Sequence, residues 1–471
     1  MYYNRNLSKD INDKIPYLYY PISTIDHNSG PITEIALYTD HSGHTKKTYI
    51  AAGCCVNQPD IQKDNFITSI LDDGYINVWS AHNEILDNEN NNNNNNATEG
   101  NYSTISDVKI SNNGKYIYTS GFDKRVEVWD RKTFTPQYIV GQQHKANINR
   151  LAVHLEYFDQ EIVASCADDG VVIIYNEKED NGYSSSDSEE NEVGNWRQEK
   201  IYYSSSYSAC DITFGIKNCT NYLFTGFECE NGGIIKIFDI YQMEMLYRKK
   251  YPGRISCISL SPTGKLLSCG TFIGSDDDQL SNDIYLIDTE TQTHINIETP
   301  QNDINLILWS RDGQKIVSCS TDDTGIIYDI RYLSRPLTTI KHQGFIEPDG
   351  CGIVSAKWMN NTDVLITGGT DSTLRFWDLN LGDPEIHSIF LNDSSVSSIS
   401  LTDDDEWLCA GTNNGCVKVY SIDRDFISLW DKNNNNNNSS SSNSNANTSN
   451  FNSSNSTNLN SGSNNSISIS S

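Results

Sequence analysis

The sequence has no apolar stretch approaching membrane-spanning length, no Cys-x-x-Cys pair, and no Lys/Arg cluster longer than Arg248-Lys249-Lys250. Each absence removes a class of function. A transmembrane helix needs about 20 consecutive apolar residues. Zinc-binding and redox motifs need cysteines at short, regular spacing. The twelve cysteines are instead scattered, several on expected inner strands (Cys166, Cys269, Cys319, Cys409), and read as small buried thiols. Without a basic patch, a formal net charge of −28 repels a phosphate backbone, so direct nucleic-acid binding is not expected. Met1–Asn6 carries no apolar run of a signal peptide, and a reducing, cytoplasmic or nuclear home is expected, with no membrane contact.

Apolar residues are also scarce, at 37%, and the shortfall comes largely from asparagine and serine tracts. Setting aside Asn90–Asn96 and everything after Asp431 leaves an ordinary globular composition. Residues 431–471 are almost wholly Asn and Ser with little to bury, and are expected to be disordered. A flexible 1–16 and loops at about 86–100 and 177–195 complete the polar segments, leaving 17–430 as one folded domain.

Within that domain one phrase returns. Its clearest copy is Val364–Asp378, where Thr367 stands four residues before Asp371 and Asp371 six before Trp377. Residues 373–378 alternate with the period of a strand, and Asp371-Ser372 marks the turn into it. The same offsets join Ser69/Asp73/Trp79, Thr119/Asp123/Trp129, Ser165/Asp169/Tyr175 and Ser318/Asp322/Tyr328. Fainter copies end at Phe238, Ile287 and Tyr420, so that consecutive markers lie 41 to 63 residues apart. Four strands per unit of about 40–45 residues is the pattern of propeller blades, and the longer intervals coincide with insertions.

On these residues the chain resembles the WD-repeat family. The resemblance implies an all-β fold: a closed β-propeller of four-stranded antiparallel blades, eight by this count, or seven if the irregular first repeat or the degenerate fifth forms no blade of its own. Closure removes the free edges of a linear sheet, and the strand within 17–26 is expected to pair with the one ending at Tyr420. Phe426–Trp430 is the competing candidate. The first repeat shows one strand too many, because Ile32–Tyr38 and Tyr49–Cys55 both precede its marker phrase.

In this family a His, a Ser/Thr, an Asp and a Trp form a hydrogen-bonded chain tying turn to strands. The resemblance carries those roles to His342, Thr367, Asp371 and Trp377, to His27, Ser69, Asp73 and Trp79, and, with Tyr for Trp, to His144, Ser165, Asp169 and Tyr175. A buried carboxylate needs such donors. A catalytic reading of the same residues fails because the set repeats and its Ser or Thr lies within a strand, not on an exposed elbow.

Three functions fit differently well. A non-enzymatic scaffold for protein–protein interaction needs nothing more than the ring and its loops. The end of the sixth inner strand, Tyr328, Asp329 and Arg331, resembles the motif by which WD-repeat substrate receptors engage the adaptor of a cullin-type ubiquitin ligase, and Trp129–Lys132 is a looser match. An enzyme with its site in the central channel would need an unrepeated polar constellation there, and none is read in the sequence. No cofactor or metal is expected, since Ser275–Asp278 lacks the spacing and glycine of a calcium loop. Ser185, Ser186 and Ser188, embedded in acidic residues, suit acid-directed kinases.

Overall fold

The computed structural model describes residues 19–26, 30–40, 47–55, 66–70, 75–79, 104–140, 144–155, 161–177, 192–193, 196–203, 207–230, 232–242, 244–272, 282–342, 352–391 and 394–422. The expected tail at 431–471, Phe426–Trp430, Ser275–Asp278, Ser185, Ser186, Ser188, His27 and Asp73 lie outside them.

The strands form eight antiparallel sheets, seven four-stranded and one five-stranded. Numbered along the chain, their innermost strands are Ile32–Asp40, Ile105–Ile110, Ile148–Leu155, Ser208–Phe214, Arg254–Leu260, Ile304–Trp309, Ile353–Trp358 and Val396–Leu401. Each packs beside the next, and the eighth packs beside the first, so the sheets are the blades of a closed β-propeller. Both the irregular first repeat and the degenerate fifth form a full sheet. Helix among the described residues is confined to one 3-10 turn at Lys217–Cys219, and none of it is long and apolar enough to cross a membrane.

Two sequence expectations have definite outcomes. Tyr19–Asp26 pairs antiparallel with Cys416–Ile422, Ile25 facing Val417 and Pro21 facing Tyr420, and so supplies the outermost strand of sheet 8. The first repeat is corrected. Its strands run Ile32–Asp40, Lys47–Cys54, Phe66–Ile70 and Tyr75–Trp79. Ser69 therefore lies on the third strand and Trp79 on the fourth, one strand further out than Thr367 and Trp377 in sheet 7. The register places Ala52, with no hydroxyl, where sheet 7 has Thr367: Gly53 and Gly368, one residue on, pair with Glu34 and Ser355. The phrase in this repeat matched by spacing alone, and the surplus strand was a regular member of the blade.

The core is divided into layers between neighbouring sheets. Cys166, Val172 and Ile174 of sheet 3 meet Phe227, Ile234 and Phe238 of sheet 4; Ile316, Ile326 and Tyr328 of sheet 6 meet Ile284 and Leu286 of sheet 5. Second and third strands are buried on both faces, which is why their sequences are near-continuous Val, Ile and aromatic runs.

Candidate interaction site at the propeller axis

The repeated polar residues hold the turns. In sheet 7 Trp377 Nε1 donates to Thr367 Oγ1 at 2.7 Å, His342 Nε2 lies 2.7 Å from that oxygen, and His342 Nδ1 lies 2.9 Å from Asp371 Oδ1. Thr367 and His342 are fully buried. In sheet 3 His144 Nε2 lies 2.8 Å from Ser165 Oγ and the Tyr175 hydroxyl 3.4 Å from it. Sheet 6 has no histidine here. Gln301 takes its place, accepting from the Ser318 hydroxyl and donating to the carbonyl oxygens of Ser318 and Thr324.

The turn Asp does the same work in each described copy. Asp123, Asp169, Asp322 and Asp371 each accept the N–H two residues on, from Arg125, Val171, Thr324 and Thr373. That bond holds the intervening residue at positive φ even where it is not glycine, as at Lys124, Asp323 and Ser372. Burial would raise the carboxyl of Asp371, but His342, Thr373 and Arg375 together hold it down to about 2. At Asp169 too burial pushes the carboxyl up, but His144 and two backbone N–H groups lower it. The Asp that ends the third strand has its own task. Asp130, Asp239, Asp288, Asp329 and Asp378 each accept the N–H two residues on and shape the turn to the outer strand.

The adaptor-like residues divide between these roles. Tyr328 is buried and Asp329 shapes its turn. Arg331 is 64% exposed and folds back on Asp329 as a two-pronged pair, Nε at 2.9 Å and Nη2 at 2.5 Å. Tyr332 beside it is also exposed. In the looser match Arg131 is buried, packed over the rings of Tyr38 and Tyr49 and paired with Asp40 at 3.0 Å, so it joins sheet 2 to sheet 1. Lys132 is exposed.

The innermost strands contain what the sequence reading missed. In every sheet the register to the second strand slips by one residue near the start, after Ile32, Ile105, Ile148, Ala209, Ile255, Ile304, Ile353 and Val396. Such a bulge bends the strand and re-aims its side chains. The residue just past it stitches one blade to the next: Asp107 accepts the N–H of Leu151, Asp211 that of Ile258, Ser355 that of Ile399 and Ser398 that of Ile35. The bulged residue adds stitches of its own, from Asn149 to the carbonyl of Ala209 and from Asn305 to that of Ile353.

Charged residues cluster at the same level. Lys357 of sheet 7 interacts electrostatically with Glu34, Lys109, Asp107 and Arg150 of sheets 1, 2 and 3. Sheets that far apart in the ring meet only across the axis. Burial, reinforced by Lys109 and Arg150, lowers the Lys357 ammonium, while burial raises the carboxyl of Asp211 against Arg150. Lys109 is raised in spite of burial, by Asp107 at 2.9 Å and by Glu34. Three cations and three carboxylates thus face one another, and their formal charges cancel.

Where sheets 4, 5 and 6 meet at the starting end of their inner strands there is a cavity of about 320 Å³. The bulged residues Cys210, Ser256 and Asn305 line it, backed by the fully buried Ile255 and Ile304. Glu228, Asp303, Phe272 and Thr321 complete the lining. Glu228 accepts from Arg254 at 2.8 Å, and that guanidinium lies 5.7 Å from the Phe272 ring. Asn282 approaches Asp303 Oδ1 at 3.4 Å. Among the described residues no group of His, Cys, Asp and Glu is arranged to hold a metal.

A ring of four-stranded blades with these turn sets defines a WD-repeat β-propeller, and the comparisons agree. The WD domain, G-beta repeat model matches residues 94–130, 336–378 and 385–421. Rik1-associated factor 1 of Schizosaccharomyces pombe is 25% identical over 374 residues, 74% of this chain and 55% of that protein. Protein groucho of Drosophila melanogaster is 26% identical over 220 residues, 45% of this chain and 27% of that protein. The chain thus spans about half the length of the first relative and less of the second. Among solved structures, that of the Dos1 propeller superposes with a TM-score of 0.70 at 22% identity, covering 86% of this chain and 95% of that one. Chaetomium thermophilum Sqt1, bound to the N-terminus of the ribosomal protein L10, gives 0.63 at 14% identity, covering 86% and 100%. Three stretches of the chain thus match WD repeats, and the chain is similar to WD-repeat β-propeller proteins.

Proposed function

We propose that the chain is a non-enzymatic scaffold that mediates protein–protein interactions in a soluble cytoplasmic or nuclear complex. The observation that carries this reading is the sealing of the His342–Thr367–Asp371 set. The one arrangement in sheet 7 that resembles a Ser-His-Asp triad in its bonding has its hydroxyl and imidazole wholly buried and committed to Trp377 and the turn. What sheet 7 and its neighbours offer to other molecules is the exposed loops and the outer strands. The relative named as an associated factor of Rik1, and the Sqt1 structure with a ribosomal-protein peptide, support the same reading.

A second reading is favoured by one observation. Arg331 stands exposed at the rim, its guanidinium 6.0 Å from the ring of the exposed Tyr332, an arginine with an aromatic neighbour of the kind that anchors interfaces. On that reading the chain is a substrate receptor that meets a ubiquitin-ligase adaptor through the Tyr328-Asp329-x-Arg331 strand end. Quantitative affinity purification of the intact chain and of Arg331→Ala tests both. A stable partner set with the intact chain supports the scaffold, and its absence overturns it. A ligase adaptor lost selectively with Arg331→Ala supports the receptor; retention of every partner by the variant overturns that reading alone.

A further inference from the structure

We propose that the cavity between sheets 4, 5 and 6 receives a lysine or arginine side chain from an extended segment of a partner protein. The inference rests on the scaffold reading and names the chemistry its partner must present.

Three features of the cavity point to that occupant. Its half-buried Phe272 ring, backed by the fully buried Ile255 and Ile304, offers apolar surface against which the methylene stem of a long basic side chain packs while its head stays near water. Its carboxylates, Glu228 and Asp303, come from different sheets and sit in the same lining, so that a cation entering the cavity meets negative charge from two sides. And at about 320 Å³ it lies at the small end of ligand sites: it holds one long side chain and is too small for a helix.

The protein itself supplies a demonstration. Its own Arg254 places a guanidinium on Glu228 and over the Phe272 ring, which is the recognition the cavity would offer to a partner. That pair is 42% and 33% exposed, so it is screened and readily rearranged when a second cation arrives. The three bulges matter as well. They deliver Cys210, Ser256 and Asn305, a thiol, a hydroxyl and an amide, into the lining at equivalent positions of consecutive blades, and Asn305 and Cys210 are already bonded to neighbouring carbonyl oxygens. The polar floor is therefore fixed in place by the fold.

An acidic ligand is disfavoured by the same two carboxylates and by the net charge of −28, which draws basic partners from a distance and repels acidic ones. The cluster at the axis, whose charges cancel, offers no comparable preference.

The test is to pan a displayed library of random dodecapeptides on the intact chain and measure the selected peptides by fluorescence polarisation. The expected peptides share a Lys or Arg at a fixed position, bind at least about tenfold more weakly to Asp303→Asn and to Glu228→Gln, and lose binding when that residue is replaced by norleucine. Rising salt should weaken them. Peptides without a basic residue, equal binding to both variants, or no selected peptide would each overturn the proposal. Thermal midpoints of the two near-isosteric variants establish that they are folded. The same variants in affinity purification separate this proposal from the scaffold reading: partners retained by both sink the cavity's role and leave the scaffold standing, whereas an intact chain without partners sinks the scaffold.

Discussion

Trp377 Nε1 and Thr367 Oγ1, ten residues apart and on adjacent strands, are joined by a 2.7 Å hydrogen bond in a fully buried setting. The geometry sets a direction for the chain of protons: the indole N–H donates to the hydroxyl oxygen, the hydroxyl donates to His342 Nε2, and Nδ1–H donates to Asp371. Each member satisfies the next, so removing one leaves another buried and unpaired.

Trp377→Ala is expected to lower stability by about 3–5 kcal/mol, through the lost ring and the cavity that remains. Asp371→Ala is expected to cost about 3 kcal/mol by stranding His342 and freeing the turn. Denaturant titration reads both, and a wild-type midpoint in either variant would show that the set does not hold the blade.

The carboxyl of Asp371 lies near 2 in the folded chain against an ordinary value of 3.8. Because the folded value is the lower one, the stabilisation is complete above about pH 4 and is lost as pH falls towards about 2. It is on the order of 2 kcal/mol. Comparing wild type with Asp371→Asn across this window should show the gap between them closing as acid is added; a constant gap would refute the coupling to His342.

Arg131 and Lys132 are neighbours with opposite expectations. Arg131 is buried between two tyrosine rings and Asp40, so Arg131→Ala should cost about 3–5 kcal/mol. Arg131→Lys should recover little of it, since an ammonium has neither the planar fork nor the flat face. Lys132→Ala should leave the thermal midpoint unchanged. Equal effects at the two positions would contradict the placement.

Removing Tyr19–Asp26 should expose the edge of Cys416–Ile422 and lower the thermal midpoint, and the truncated chain should form larger species as its concentration rises. Light scattering after size exclusion measures this. A monodisperse monomer of wild-type stability would mean that the strand adds nothing to closure.

What the sequence made legible follows from what is repeated. Thr367, Asp371 and Trp377 are constrained by one another at fixed offsets, so their copies could be found by spacing. The first repeat shows the limit of spacing: Ser69 and Trp79 keep the offsets, yet only strand pairing reveals that they lie one strand too far out. The charged residues of the inner strands were illegible for another reason. Glu34, Lys109, Arg150 and Lys357 alternate with apolar residues just as solvent-facing residues do, and no local pattern tells outside water from the axis of a ring. The bulges that set the lining of the cavity are single-residue slips, visible only once both partners of a strand pair are known. A search for charged residues within the first strand of each repeat would have found all six axial groups, on five sheets, without revealing that they meet.

The pairing of Ile25 with Val417 also has a consequence in time. During synthesis the strand Tyr19–Asp26 leaves the ribosome long before Cys416–Ile422 exists, and at about 5–20 residues per second the interval is roughly 20 to 80 s. For that period the emerging chain carries a strand whose eventual neighbour has not been made, and each finished blade waits with one flank uncovered. The last few residues translated into the ring are thus the ones that convert a row of sticky half-assembled sheets into a body without ends, and the nascent chain must be kept from finding another copy's edge until they arrive.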